Sequence, residues 1–172
     1  MDQEIKINPE TGETGCCPKF DPAKWDEKEH IWNERPFIKE SIPQIFHMPL
    51  IPSMIGTKIT KLWDAANRDQ KVEENKNDTL ILFYDPTPFK SEIYLSVTGE
   101  VSGVENVKLS GTYISKVYDG GYNAIPTFIK EMEQYLESIG KKAEKYYIHY
   151  AYCPKCAKAY GNNYMIFFAK VA

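Results

Sequence analysis

The chain has 172 residues, 42% hydrophobic and 26% charged, with a formal net charge of −3 and a pI near 5.7. This balance suits a folded domain with a sizeable core and excludes a wholly disordered chain. Lys and Arg are scattered rather than gathered into a basic stretch, which argues against nucleic-acid binding. No apolar run approaches the roughly 20 residues of a membrane span, and an N-terminus carrying Asp2 and Glu4 is not a secretory signal. The expectation is a cytoplasmic protein with no membrane partner. Its four cysteines then read as thiols or metal ligands before disulfides.

Residues 1–27 read as irregular, broken by Pro9, Gly12, Gly15, Pro18 and Pro22. They carry little apolar mass, so an ordered segment needs a tie, for which Cys16 and Cys17 are available. Residues 28–172 read as one α+β domain. From about 29 to 50 the chain looks extended, with Pro36, Pro43 and Pro49 requiring bulges or an edge position. Ser53 can cap a helix whose stripe is Ile55, Ile59, Leu62, Trp63 and Ala66. Residues 67–77 read as a polar loop. A strand is expected over Leu80–Tyr84, then a turn at Asp85–Pro88. In the next strand Ile93, Leu95 and Val97 alternate with Glu92, Tyr94 and Ser96. Another strand runs over about Val107–Tyr118 and ends at Gly120 and Gly121. The clearest helix has Ile125, Phe128, Ile129, Met132, Tyr135, Leu136 and Ile139 on one face, Pro126 in its first turn and Gly140 at its stop. Strands over Tyr146–Tyr152 and Tyr164–Val171 close the chain.

This order is strand, helix, strand, strand, given twice. It predicts duplicated β-α-β-β units forming one antiparallel sheet, with two helices on one face and a cleft on the other. The stretch from Leu109 to Tyr122, with its paired glycines before an aromatic, followed by the amphipathic helix, resembles the signature stretch of the GyrI-like small-molecule-binding family. Cys16, Cys17, Pro18, Phe20, Asp21, Pro22 and Trp25, together with Cys153, Pro154, Lys155, Cys156, Tyr160 and Gly161, resemble paired motifs of a stand-alone bacterial branch whose members carry hydrolase labels. The resemblance implies a cleft for small, often aromatic or cationic compounds, met by a glutamate on a cleft-facing strand. Glu92 holds the matching position. Met165 is its implied counterpart in the second half.

Two constellations carry chemistry. Cys153 and Cys156 have the spacing of a metal knuckle on a tight turn, and Cys16 and Cys17 can complete a tetrahedral tetrathiolate, a closed structural zinc site. Redox dithiol and unligated thiols are the other readings of the same residues. Glu92 is the second. If its strand face lines a cleft, burial would raise its pKa and suit it as a base or an amine anchor. Trp63, Tyr94, Tyr113, Tyr118, Tyr122, Tyr147 and Tyr150 are the candidate ring walls. His30, His47 and His149 are dispersed, and no nucleophile elbow or phosphate loop appears. The leading expectation is a small-molecule-binding protein, a sensor or sequestering protein. The alternatives are a hydrolase using Glu92 as general base and a thiol-redox or metal-handling protein.

Overall fold

A computed structural model describes residues 5–46, 48–49 and 53–172, with the backbone alone for 48–49. His47 lies outside them. The chain divides into two compact units: a central unit, Ile31–Gly111, and a terminal unit that joins the residues up to His30 with Thr112–Ala172. The fold is α+β, with three α-helices and antiparallel strand pairing within each unit.

Strand β1 (Lys28–Ile45) starts in the terminal unit and continues into the central one. Pro36 follows an irregularity at Glu34, and Pro43 lies within the unbroken β1–β4 register opposite Lys90. Glu34 and Phe46 both sit at left-handed φ, 50° and 47°, and the Ser110 hydroxyl accepts from the Glu34 N–H at 2.8 Å. A two-residue strand β2 (Met48–Pro49) pairs back on its end. Helix α1 (Ser53–Arg68) begins at Ser53 itself, so that residue opens the helix rather than capping it. Strand β3 (Ile81–Thr87) runs through Asp85 and Pro86, where a turn was expected, with its register shifting between Tyr84 and Thr87. Strand β4 (Lys90–Ser96) pairs with both β1 and β3, placing Ile38 and Ile81 opposite Leu95.

The two-residue period sorts the central unit into two faces. Ile38, Ile42, Ile93, Leu95 and Val97 pack under Leu62, Ala65 and Ala66 of α1. Phe37, Lys39, Leu82, Glu92, Tyr94 and Ser96 take the other side. Trp63 packs on the α1-side cluster, which makes it part of the core rather than a wall of the opposite face.

The terminal unit holds β5 (Glu105–Asp119, entering from the central unit), α2 (Ile125–Ser138), β6 (Ala143–Tyr150), α3 (Pro154–Tyr160) and β7 (Tyr164–Val171). β7 pairs with both β5 and β6. Ile114, Tyr118, Met165, Phe167, Ala169 and Val171 pack under Met132 and Leu136 of α2, with Tyr146, Ile148 and Tyr150 beside them. Tyr113, Ser115, Tyr147, Ile166 and Phe168 take the face away from α2. Helix α3 replaces the tight turn expected at Cys153–Cys156; its stop is Gly161 at φ 80°.

Two sequence expectations therefore fall on the wrong side of their strands. Tyr118 stacks on Phe128 of α2 with ring centroids 4.7 Å apart, inside the core. Met165 is fully buried under the same helix, so it is not in phase with Glu92, which faces away from α1. The Tyr118 hydroxyl is buried without a hydrogen-bond partner. Tyr118→Phe should accordingly be neutral or stabilising by up to about 1 kcal/mol, read as a shift in the chemical-denaturation midpoint.

Candidate functional site

Glu92 is buried, with 6% of its surface exposed, on the face of the central unit away from α1. It is not alone there. Lys39 Nζ lies 2.5 Å and Lys90 Nζ 3.6 Å from its Oε2, and the Tyr94 hydroxyl donates to its Oε1 at 3.1 Å. Register explains the grouping: Lys39 sits opposite Tyr94, and Ser41 opposite Glu92, so a lysine from β1 reaches diagonally to the carboxylate. Burial pushes the Glu92 carboxyl up, but the hydrogen bonds from Lys39 and Tyr94 and the charges of Lys39 and Lys90 outweigh it. The carboxyl is held below the ordinary glutamate value, the reverse of the rise expected from burial alone. The Lys39 ammonium is raised in turn, chiefly by its hydrogen bond to Glu92.

Rings and cations extend this group. Trp32 lies 5.8 Å from Phe37, and Phe37 meets Tyr94 edge-on at 6.4 Å. The Arg35 guanidinium lies 4.9 Å from the Trp32 ring, and Lys39 Nζ 5.8 Å from the Tyr94 ring. The cation–π positions of these rings are thus filled by the protein's own side chains. A groove of about 430 Å³ reaches the Lys39 end of the group, lined by Lys39, Ser41, Lys61 and Glu105 among others.

In the terminal unit Tyr113 and Tyr147 pair at 6.2 Å, each 1% exposed, and burial with the neighbouring Tyr147 raises the Tyr113 phenol. Tyr122 is 62% exposed and meets Tyr150, from the α2 side of β6, at 5.3 Å.

The four cysteines converge. Their Sγ atoms all lie within 4.8 Å of one another, close to the edge of about 3.8 Å that a tetrahedron with Zn–S bonds near 2.3 Å requires. Cys153 caps α3 and Cys156 lies in its first turn, while Cys16 and Cys17 come from the N-terminal segment. The Cys153 backbone N–H donates to Cys17 Sγ at 3.5 Å. Thr14 Oγ1 accepts from the Cys16 and Cys17 N–H groups and lies 3.3 Å from Cys156 Sγ. The Tyr160 hydroxyl donates to the Cys17 carbonyl at 2.7 Å. Burial and the neighbouring sulfurs raise Cys16 and Cys17. At Cys156 burial also acts upward, but hydrogen bonds from Thr14, Cys153 and Cys17 outweigh it and lower the thiol. The donor set fits a thiophilic cation, which would offset the mutual repulsion of the four clustered thiolates. Thr14 and Lys39 escaped the sequence reading, and Tyr160 entered it as a motif residue without its role beside the sulfurs. Tyr160 lies one helical turn beyond Cys156.

The family described as bacterial hydrolase matches residues 7–171. The chain belongs to that bacterial hydrolase family. A hydrolase from Listeria innocua is similar in structure, at TM-score 0.60 and 13% identity, over 90% of this chain and 94% of that one. The EcmrR C-terminal domain is similar at TM-score 0.61 and 14% identity, over 86% and 98%. EcmrR in a complex with DNA matches at TM-score 0.54 and 12% identity, over 84% of this chain and 55% of that one. At these identities the likeness is one of fold, and the fold fits a GyrI-like domain. No curated protein matches the chain in sequence.

For a member of the bacterial hydrolase family, His30 beside Ser115 invites a nucleophile reading, since Nε2 and Oγ are 2.7 Å apart. The serine hydroxyl, however, donates to the Trp25 carbonyl at 2.5 Å and is fully buried. His30 therefore donates to Ser115 and cannot accept its proton, so the pair is structural. No helix among the described residues is long and apolar enough to cross a membrane.

The ion pair makes a pH-dependent prediction. Stability from the lowered Glu92 carboxyl is fully present above the unfolded glutamate value of about 4.3 and is lost as pH falls through the lower folded value. Lys39→Met should cost about 1–3 kcal/mol at neutral pH. It should also flatten the acid-side slope, read by chemical denaturation across a pH series.

Proposed function

We propose that this protein binds a small aromatic compound carrying a cationic amine, as a sensor or sequestering protein of GyrI-like type. The observation that carries this reading is the Glu92 carboxylate, buried on a ring-bearing sheet face and balanced by a lysine rather than by solvent. In this reading Lys39 is a resident stand-in. An incoming amine takes its place on Glu92 and Tyr94, and the ligand ring packs against the aromatic row that includes Phe37. Tyr94 is proposed as the ring wall beside Glu92, and Tyr113, Tyr122 and Tyr147, which belong to the terminal unit, are left out of this site. Trp63 and Tyr118 are left to the core. The partner is a small molecule, in what would be a ligand cleft on the helix-free side of duplicated β-α-β-β units.

Family membership favours a second reading, in which Glu92 activates a water as general base. The lowered carboxyl weighs against it, because an ionised glutamate already paired with lysine is a weak base. Only ligand binding that displaces Lys39 would restore its basicity. The four cysteines are proposed to hold a structural zinc, since a tetrathiolate leaves no open coordination position for catalysis.

Thermal-shift screening with aromatic amines should find stabilising compounds, and Glu92→Gln should abolish the shift. Lys39→Ala should tighten the same compounds by roughly tenfold, because the competing ammonium is removed. Compounds that bind Glu92→Gln unchanged would exclude this site. Turnover that disappears in Glu92→Gln would select the hydrolase reading.

A further inference from the structure

The terminal unit buries its helix-free sheet face under the chain's own N-terminal segment. Phe20 packs on Tyr164 at 5.2 Å and Trp25 meets Phe168 edge-on at 5.9 Å. Tyr164 and Phe168 are four residues apart and on the same side of β7, so the segment from Phe20 to Trp25 runs along that side. His30 adds a third ring, 5.7 Å from Phe168 and 5.6 Å from Trp25. Beneath lie Ser115, Ile166 and Phe168, all fully buried.

What fastens this cover is unusual for a segment of its length. Between Ile5 and Glu27 it contributes only Trp25 to the buried core and forms no regular structure beyond a single 3-10 turn, Pro22–Lys24. Such a segment cannot offset its ordering entropy by burial alone. Its other fastening is the cysteine cluster. That cluster is buttressed by Tyr160, by Thr14 and by the Tyr152 hydroxyl, which accepts from the Phe20 N–H at 2.9 Å. Tyr152 and Tyr160 stack at 4.5 Å behind it.

We infer that residues Cys16–Trp25 form a cover, clasped by a metal ion at the four thiolates, over a ring-lined face of the terminal unit that takes a flat, uncharged aromatic compound once the clasp opens. Phe20 and Trp25 occupy that face as internal ring ligands. The chemistry differs from that at Glu92: from Tyr113 to Val117 the face presents rings and the hydroxyls of Tyr113, Ser115 and Tyr147 but no carboxylate, so it selects for apolar area rather than positive charge. The metal acts by shortening the free loop. With Cys17 tied to α3 and the chain re-entering β1 at Lys28, the strap is closed at both ends. With the metal gone it is tethered at one end only, and ordering it costs more.

The inference rests on the metal reading, and the test separates the two. Full-length protein purified in zinc without chelator should hold about one zinc per chain, as a closed tetrathiolate does. Chelator-stripped, fully reduced protein should then show amide exchange at residues 16–24 at least about tenfold faster, with α2 and β7 still protected. It should also gain binding of N-phenyl-1-naphthylamine, an uncharged aromatic fluorophore, and no such gain would overturn the ligand face. Cys16→Ser with Cys17→Ser, which leaves α3 intact, should reproduce both effects without stripping. Zinc held at one per chain, with residues 16–24 exchanging alike before and after its removal, would overturn the cover while sparing the metal. Four freely reactive thiols in metal-free protein with a protected strap would overturn both. Loss of protection throughout the terminal unit on stripping would make the metal a folding element and overturn the cover.

Discussion

The arrangement depends on keeping strand phase under each helix. Ile93 and Leu95 of β4 and Val97 just after it must meet α1, and burying each stabilises by about 1.5–3 kcal/mol. A one-residue slip would drive Glu92 into that apolar layer and lift those three off it. The same constraint holds in β7, where Met165, Phe167 and Ala169 meet α2. The chemistry of the sheet faces is decided by what this phase leaves opposite the helices.

Those faces differ in kind. The central unit presents a buried ion pair within a row of rings, and the terminal unit presents rings and hydroxyls. The second face is covered by Phe20 and Trp25 from the N-terminal segment. The first carries its own cation in Lys39. In each case the group that the face would recognise is already supplied internally. This explains why a carboxylate with 6% exposure can remain ionised, and why so many tyrosines are buried outside the helix-side clusters.

Periodicity in the sequence reached the elements it governs. The α2 stripe, the Gly140 stop, the β4 alternation and the bounds of β7 all follow from local pattern. Helix α3 did not, because Cys153 and Cys156 suggest a metal knuckle before a helix. Yet Pro154 in its first turn and Gly161 at its end are the same signals that marked α2. Phase within a strand was harder. Tyr118 and Met165 are apolar enough for either side, and only their packing against α2 decides. Lys39 was illegible for another reason. It reaches Glu92 through the β1–β4 register, which couples residues 53 positions apart, so local sequence shows the burial of the glutamate but not the ammonium that reverses the sign of its pKa shift. The convergence of the four cysteines was legible from their types and spacing. Its support by Thr14 and Tyr152 needed the fold.

The central claim is that a lysine holds a buried glutamate charged on the sheet face away from α1. Carbon-13 NMR of the Glu92 side-chain carboxyl, followed through a pH titration of the wild-type protein, tests it directly. The account predicts a single midpoint below that of ordinary glutamate, moving upward when Lys39 is replaced by Met. A midpoint at or above the ordinary value, unmoved by that substitution, would contradict it.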